Sequence, residues 1–134
     1  MVKKEVVKNI PIVTAKDAAG QPVAPLSLAI KAGDFVFVAG MPPIDPTNGK
    51  MVRGDIETQT RRVLENVKLV LGTAGTSLDK VVKATVYCTN VGYFDRVNVI
   101  YRQYFPVEPP TRTFVNVGSW PHDFDIELEC IAIA

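Results

Sequence analysis

The sequence predicts an α+β fold with the element order βββαβαββ, in which a mixed sheet carries two helices on one face. Three observations lead there. Six segments show strand-like alternation or β-branched runs, only two show the apolar recurrence of amphipathic helices, and the strands are grouped instead of alternating strictly with helices. Two helices can cover one side of such a sheet and no more. The bare, largely apolar side of a chain this small is expected to be buried against copies of itself, since large exposed apolar patches are rare on soluble monomers.

Val2 to Lys8 reads as the first strand, and the passage rich in Pro, Gly and Ala from Ala18 to Pro25 as a surface loop. Ser27 to Ile30 and Phe35 to Ala39 flank the turn residues Lys31 to Asp34 and form a hairpin. Its second strand ends at Gly40, where the missing Cβ lets another group approach the backbone closely. Met41 to Val52 is a loop, because it holds three prolines and the turn pair Asn48-Gly49. Asp55 is an N-cap for a helix of roughly five turns, in which Ile56, Val63, Leu64, Val67, Val70, Leu71 and Ala74 recur at helical spacing until Gly75 stops it. Leu78 to Thr89 is the β-branched run of a buried strand. A second, shorter helix runs from Tyr93 to Phe105, with Phe94, Val97, Ile100, Tyr101 and Tyr104 at its apolar positions and Pro106, Pro109 and Pro110 beyond its end. Strands over 112–117 and 125–133 complete the order, joined through Gly118 to Asp123.

With 134 residues the chain makes one domain, and 47% apolar against 22% charged residues is globular usage. No window approaches the ~18 apolar residues of a membrane span, so no membrane association is expected. Net charge is +1 with scattered lysines and arginines, which speaks against a nucleic-acid partner. Met1 to Ile10 has a basic start but no apolar signal region, so a cytoplasmic location is expected. Cys88 and Cys130 lack metal-ligand spacing and fall in strand patterns, where they read as small buried residues; neither a disulfide nor a metal site is expected. His122 and Trp120 share the turn before the last strand, and a lone histidine there reads as a turn residue. Tyr87, Tyr93 and Tyr104 lie at core-like spacings.

Charge in the last two strands is less ordinary. A period of two puts Ile126, Leu128, Cys130, Ala132 and Ala134 on one face and Glu127, Glu129, Ile131 and Ile133 on the other. A carboxylate beside buried surface must be paired, hydrogen-bonded or protonated, because stranding it costs several kcal/mol. Arg112 is the nearest plausible partner in sequence. The alternative is that these are edge-strand charges with their heads in water.

The element order, together with GDFVFVAGMPPIDPTNGKMV, LENVKLVLGTAGTSLDKVVKATVY, RVNVIYRQYF, PPTRTFVNV and IELECIAIA, resembles the YjgF/YER057c/UK114 family, also called Rid or reactive-intermediate deaminase. The most specific shared parts are P-x-R, here with Arg112, and the glutamate fifteen residues later, Glu127, that opens an I-E-x-E strand. The resemblance implies a chorismate-mutase-like protomer and a homotrimer with sheets facing inward and three clefts between subunits. It further implies hydrolysis of reactive 2-imino or 2-enamino acids to 2-keto acids and ammonia, with small 2-imino or 2-keto carboxylates as ligands and no cofactor or metal. In that reading Arg112 clamps the substrate carboxylate through two parallel hydrogen bonds and Glu127 directs water at the imine carbon. Gly40 and Phe114 lie where backbone N–H groups would add donors to the carboxylate, and Asn98 stands at the family's asparagine.

Two departures bear on the pocket. Leu26, within Ala24-Pro25-Leu26-Ser27, stands where a typical deaminase has tyrosine, so a hydroxyl is missing; Phe114 replaces a small residue or cysteine. An unmet hydrogen bond to a charged ligand costs about 1.5–3 kcal/mol, which would weaken turnover or redirect it toward bulkier apolar side chains. Three further activities stay open at this point: a non-catalytic keto-acid binder or scaffold, a deaminase of the 2-aminomuconate type, and an endoribonuclease.

Overall fold

The computed structural model describes residues 1–134. Strands β1 (Lys4–Val6), β2 (Ala29–Ala32) and β3 (Phe35–Met41) precede helix α1 (Ile56–Thr73), β4 (Val81–Cys88), helix α2 (Phe94–Tyr104), β5 (Thr111–Asn116) and β6 (Ile126–Ile133). The expected order holds. The strands form one sheet, β1-β2-β3-β6-β4-β5, with every neighbouring pair antiparallel except β4 and β5, which run parallel. Several strand bounds differ from those expected, and β2 starts at Ala29 and takes in Lys31 and Ala32 of the expected turn. β1 stops at Lys4 and Val6 because its only ladder partner, β2, supplies four residues, and Leu78–Lys80 winds into a 3-10 turn before β4 begins.

α1 follows its sequence signals closely. Asp55 caps it, its side chain accepting from the Thr58 N–H at 2.8 Å. At the far end Thr76 N–H reaches the Leu71 carbonyl and Gly75 N–H the Gly72 carbonyl, the pair of bonds that closes a helix when the residue after the cap is left-handed. Gly75 has φ +86°, a conformation that costs glycine nothing. The apolar stripe of α1, including Val63, Leu64, Val67, Val70 and Leu71, has no exposed surface and packs on β3 and β6, while α2 packs beside it through Val97, Ile100 and Tyr101. Both helices thus share one face of the sheet, above Val36, Val38, Ala84, Val86, Leu128, Cys130 and Ala132.

The opposite face carries no helix. Phe35, Phe37 and Ile133 are each about two-fifths exposed there, at 42%, 42% and 43%. Across the same face, toward the start of β6, lie Thr85, Tyr87, Glu127 and Glu129. One end of the bare face is therefore apolar and the other carries the acids.

Two buried polar side chains of α1 anchor the strand ends that matter below. Asn66, fully buried, donates from its amide nitrogen to the carbonyls of Ile44 at 2.7 Å and Pro42 at 3.2 Å, holding the proline-rich loop that leaves β3. Gln59 donates to the Asp125 carboxylate at 3.0 Å and accepts from the Asp125 N–H at 2.8 Å, fixing the entry to β6. Replacing Asn66 by Leu removes the donor and leaves a buried carbonyl unmet, so Asn66→Leu should lower stability by about 2 kcal/mol. Urea unfolding with an unchanged slope would measure it; a loss below about 0.5 kcal/mol would mean that water replaces the amide.

Candidate functional site

Arg112 lies on β5 opposite Ala84 of β4, which in turn faces Cys130 of β6. Partners across a ladder point to the same side, so Arg112 stands on the helix face. It reaches up beside α2. Its Nη1 donates to Asn98 Oδ1 at 2.8 Å, and its Cζ lies 4.7 Å from the ring centre of Tyr101, 5.5 Å from that of Phe94 and 5.9 Å from that of Phe114. Three aromatic faces hold the cation by its quadrupole attraction. Asn98 fixes its plane.

No carboxylate is bonded to this guanidinium. The two ion pairs of the chain join Arg53 to Asp123 and Arg96 to Glu57. Arg112 is half-buried and spends one of five N–H donors on the protein. That corrects the expectation that Arg112 pairs with a glutamate of the last strand, and parity gives the reason. Tyr101 is 7% exposed and its hydroxyl has no partner; burial pushes that hydroxyl up to about 12, with the Arg112 charge pulling the other way.

Glu127 stands on the other side of the sheet. It faces Tyr87 across the β4–β6 ladder, whose alternate residues, Val86 and Cys88, are core. Its carboxylate lies against Gly40, where a Cβ would land on Oε1 and come within 2.7 Å of Cδ. The approach depends on an irregularity in β3: Val38 pairs with Cys130 and Met41 with Leu128, so three steps on β3 match two on β6. This bulge turns Gly40 from the helix side to the open side. Glu127 makes no hydrogen bond, and its carboxyl is raised above the usual range, first by burial and then by the neighbouring Glu129 charge. Glu129 itself accepts a 2.6 Å hydrogen bond from the Tyr87 hydroxyl, which raises the tyrosine in turn.

The residues singled out in the sequence therefore fall into two sets. Arg112, Asn98 and Phe114 form one, at the β5 edge on the helix face. Glu127 and Gly40 form the other, on the open face. β5 and β6 are separated by β4, so the two charges are about 10 Å apart across the strands, a similar distance apart along them, and on opposite sides. Within one protomer they cannot touch the same small molecule. Leu26 belongs to neither set; it is exposed, with its N–H bonded to the Ala24 carbonyl, just ahead of β2.

Some side chains sit elsewhere than the sequence suggested. Tyr87 is not core but half-buried on the open face, and its bond to Glu129 was missed; the strict alternation of Val86 and Cys88 around it is the signal that could have found it. Trp120 stacks on the buried Phe124, with ring centres 4.4 Å apart, and His122 is exposed. Both cysteines are buried free thiols, raised chiefly by burial, Cys130 to about 12, which makes them poor nucleophiles. An open groove of about 580 Å³ between β1 and the end of α1, lined by Lys4, Glu5, Lys8 and Lys31, contains none of the residues above. No helix is long and apolar enough to cross a membrane.

Residues 16–134 match the family model described as Endoribonuclease L-PSP. A RutC family protein of Pyrococcus abyssi is 48% identical over 116 residues, covering 87% of this chain and 91% of its own. Reactive Intermediate Deaminase A of Arabidopsis thaliana, a chloroplastic protein, is 38% identical over 131 residues, covering 98% of this chain and 66% of its own. Among solved structures, a Rid family protein of Yersinia pestis superposes with a TM-score of 0.86 at 36% identity, covering 98% of this chain and all of its own.

The raised Glu127 carboxyl has a thermodynamic consequence with a definite sign. The folded chain holds this proton more tightly than the unfolded one, so the contribution to stability is full below the unfolded carboxylate range and is lost as pH rises through the folded value. Glu127→Gln removes that loss. At about pH 7.5 the variant should be more stable than the parent by about 0.5 kcal/mol, discounted for the solvent that still reaches the group, and at about pH 3.5 the difference should vanish. Paired urea titrations at both values test this, and a variant less stable than the parent at the higher pH would contradict it.

Proposed function

The chain belongs to the Endoribonuclease L-PSP family, the YjgF or Rid family, and from that premise we propose that it hydrolyses 2-imino and 2-enamino acids to 2-keto acids and ammonia. The observation that carries the reading is Arg112: a half-buried guanidinium with no counter-ion, clamped on its protein side and with donors to spare. Such a group is arranged to receive an anion from outside, and a planar carboxylate matches its fork. The Arabidopsis relative carries the deaminase activity in its name, which supports the same reading.

The site is completed between copies. Arg112 and Glu127 of one chain lie on opposite faces, so the carboxylate held by Arg112 meets the Glu127 of a neighbouring protomer, in a homotrimer that buries the bare faces of the sheets. Phe35, Phe37 and Ile133 supply the apolar part of that burial. Gly40 then reaches the cleft from the Glu127 side, and Asn98 acts as a positioning residue that orients Arg112.

The chemistry asks little more of the protein. Glu127 accepts a proton from water as the oxygen adds to C2, and the C=N electron pair moves to nitrogen to give a carbinolamine. The same carboxyl returns that proton to nitrogen, then takes the proton of the new hydroxyl and passes it to nitrogen as well; the C=O bond forms as the C–N bond breaks, and ammonia leaves with the 2-keto acid. A carboxyl raised by burial suits both halves of this cycle, because it is a stronger base than a solvated one and a usable acid afterwards. A purely carboxylate-binding role would use Arg112 alone and leave the unsatisfied Glu127 without a task. Nothing in the geometry favours RNA cleavage, which needs an acid–base pair at a phosphate; the single histidine, His122, is exposed in a turn.

Three measurements test the proposal. With enzymatically generated iminopyruvate and longer 2-imino acids, Arg112→Ala should lower kcat/KM at least 100-fold and Arg112→Lys at least tenfold; equal decay with wild type and Arg112→Ala would refute it. Neither Arg112→Ala nor Glu127→Gln should be active alone, yet co-refolding equal amounts should restore about one quarter of the sites, the fraction in which an intact arginine meets an intact glutamate from another copy. Verified subunit exchange without recovery would place both residues in the same chain's site. Gly40→Ala should lower kcat at least tenfold while unfolding near the parent's midpoint, since the added methyl displaces only the mobile end of Glu127; full activity would show that the carboxylate need not lie there.

A further inference from the structure

The rings around Arg112 do more than hold it. Phe94, at the start of α2, and Phe114, on β5, meet edge to face with centres 5.1 Å apart and planes at 79°. That arrangement fixes both rings. Tyr101 is part of the core at 7% exposed, whereas Phe94 keeps 39% of its surface open and Phe114 is half-buried at an edge strand. An aromatic pair that is rigid, partly uncovered and within 6 Å of an unpaired guanidinium is an apolar surface placed beside an anion site.

The size of a bound carboxylate makes the consequence specific. A carboxylate in bidentate contact with a guanidinium sets its carbon about 4 Å from Cζ, from twice a charge-assisted hydrogen-bond reach less the overlap of the two forks. C2, one C–C bond farther, is then about 5.5 Å from Cζ, in the range of the two ring centres at 5.5 and 5.9 Å, and the side chain begins at the next carbon beside them. From this, and resting on the carboxylate-binding reading above, we infer that Phe94 and Phe114 form the wall for the substrate side chain and select 2-imino acids with long apolar or aromatic side chains over short ones. Asn98 and Tyr101 hold the cation from the protein side, which leaves the Phe94–Phe114 side for the ligand.

Binding of stable 2-keto acids tests the inference independently of turnover. Calorimetry with 2-oxobutanoate, 2-oxopentanoate, 2-oxohexanoate and phenylpyruvate should show Kd falling about fourfold per added methylene, the value that ~0.8 kcal/mol per buried CH₂ gives. In Phe114→Ala and Phe94→Ala the slope should flatten to less than about twofold per methylene, with a loss above tenfold for the longest member and below threefold for the shortest. Phe94→Leu serves where the alanine variant unfolds, and should keep most of the slope for the straight chains while losing phenylpyruvate selectivity. A flat series in wild type, or a steep series that survives both substitutions, overturns the wall while leaving the Arg112 site standing. Absence of binding by every member to wild type, with unaltered behaviour in Arg112→Ala, defeats the carboxylate reading itself and this inference with it.

Discussion

The alternation of side chains across a single sheet governs everything functional in this molecule. Because ladder partners share a side, the register Arg112, Ala84, Cys130 sends the guanidinium toward the helices, and the register Tyr87, Glu127 sends the carboxylate the other way. A slip of one residue in either strand would reverse the assignment. In β6 it would also turn Leu128 and Cys130 out of the core, so the hydrophobic face enforces the side on which Glu127 lies. The two charged groups are therefore kept apart inside one chain, which is why the proposed reading brings them together across two copies.

Each of the two charged groups carries a desolvation cost that the chain itself offsets only in part. Arg112 is taken partly out of water without an ion-pair partner, with stacking on Tyr101 and one bond to Asn98 offsetting part of the desolvation. Glu127 is half-buried next to Glu129 and bonds to nothing, whereas Glu129 has the Tyr87 hydroxyl. The contrast within two residues of one strand is informative. If both acids were structural, the same tyrosine face could have served either; the hydroxyl satisfies the one and leaves the other basic.

Much of this was legible in the sequence. Element order, both helices, the capping Asp55 and terminating Gly75 followed from periodicity and turn chemistry, because α1 is long and its stripe unbroken. The division of β6 into an apolar and an acidic face was equally plain. What could not be read was the side on which Arg112 would fall. That depends on the register in which β5 pairs in parallel with β4, and no local pattern in Thr111 to Asn116 encodes it. The expected pairing of Arg112 with a glutamate failed for this reason. Tyr87 lies outside the core for a simpler reason, since its parity with Val86 and Cys88 points it to the open face despite its hydrophobic neighbours.

Gly40 shows how small a feature can hold the arrangement together. β3 reaches Met41 with one residue more than β6 uses over the same interval, and that residue lets two successive positions, Ala39 and Gly40, lie toward the open face. Were the ladder regular, position 40 would point at α1 and its side chain would belong to the core. With the bulge it faces Glu127, and any side chain there would occupy the space of the carboxylate. Glycine is thus required by the neighbour and not by its own backbone, whose φ is not among the positive values of this chain. The same bulge begins the loop that Asn66 anchors to α1, so the placement of Glu127 is tied through Gly40 and Pro42 to the most buried helix in the molecule. A carboxylate without a hydrogen bond would ordinarily drift toward solvent. Here the strand that carries it is clamped by Gln59 at its entry, and the glycine gives it one place to lie.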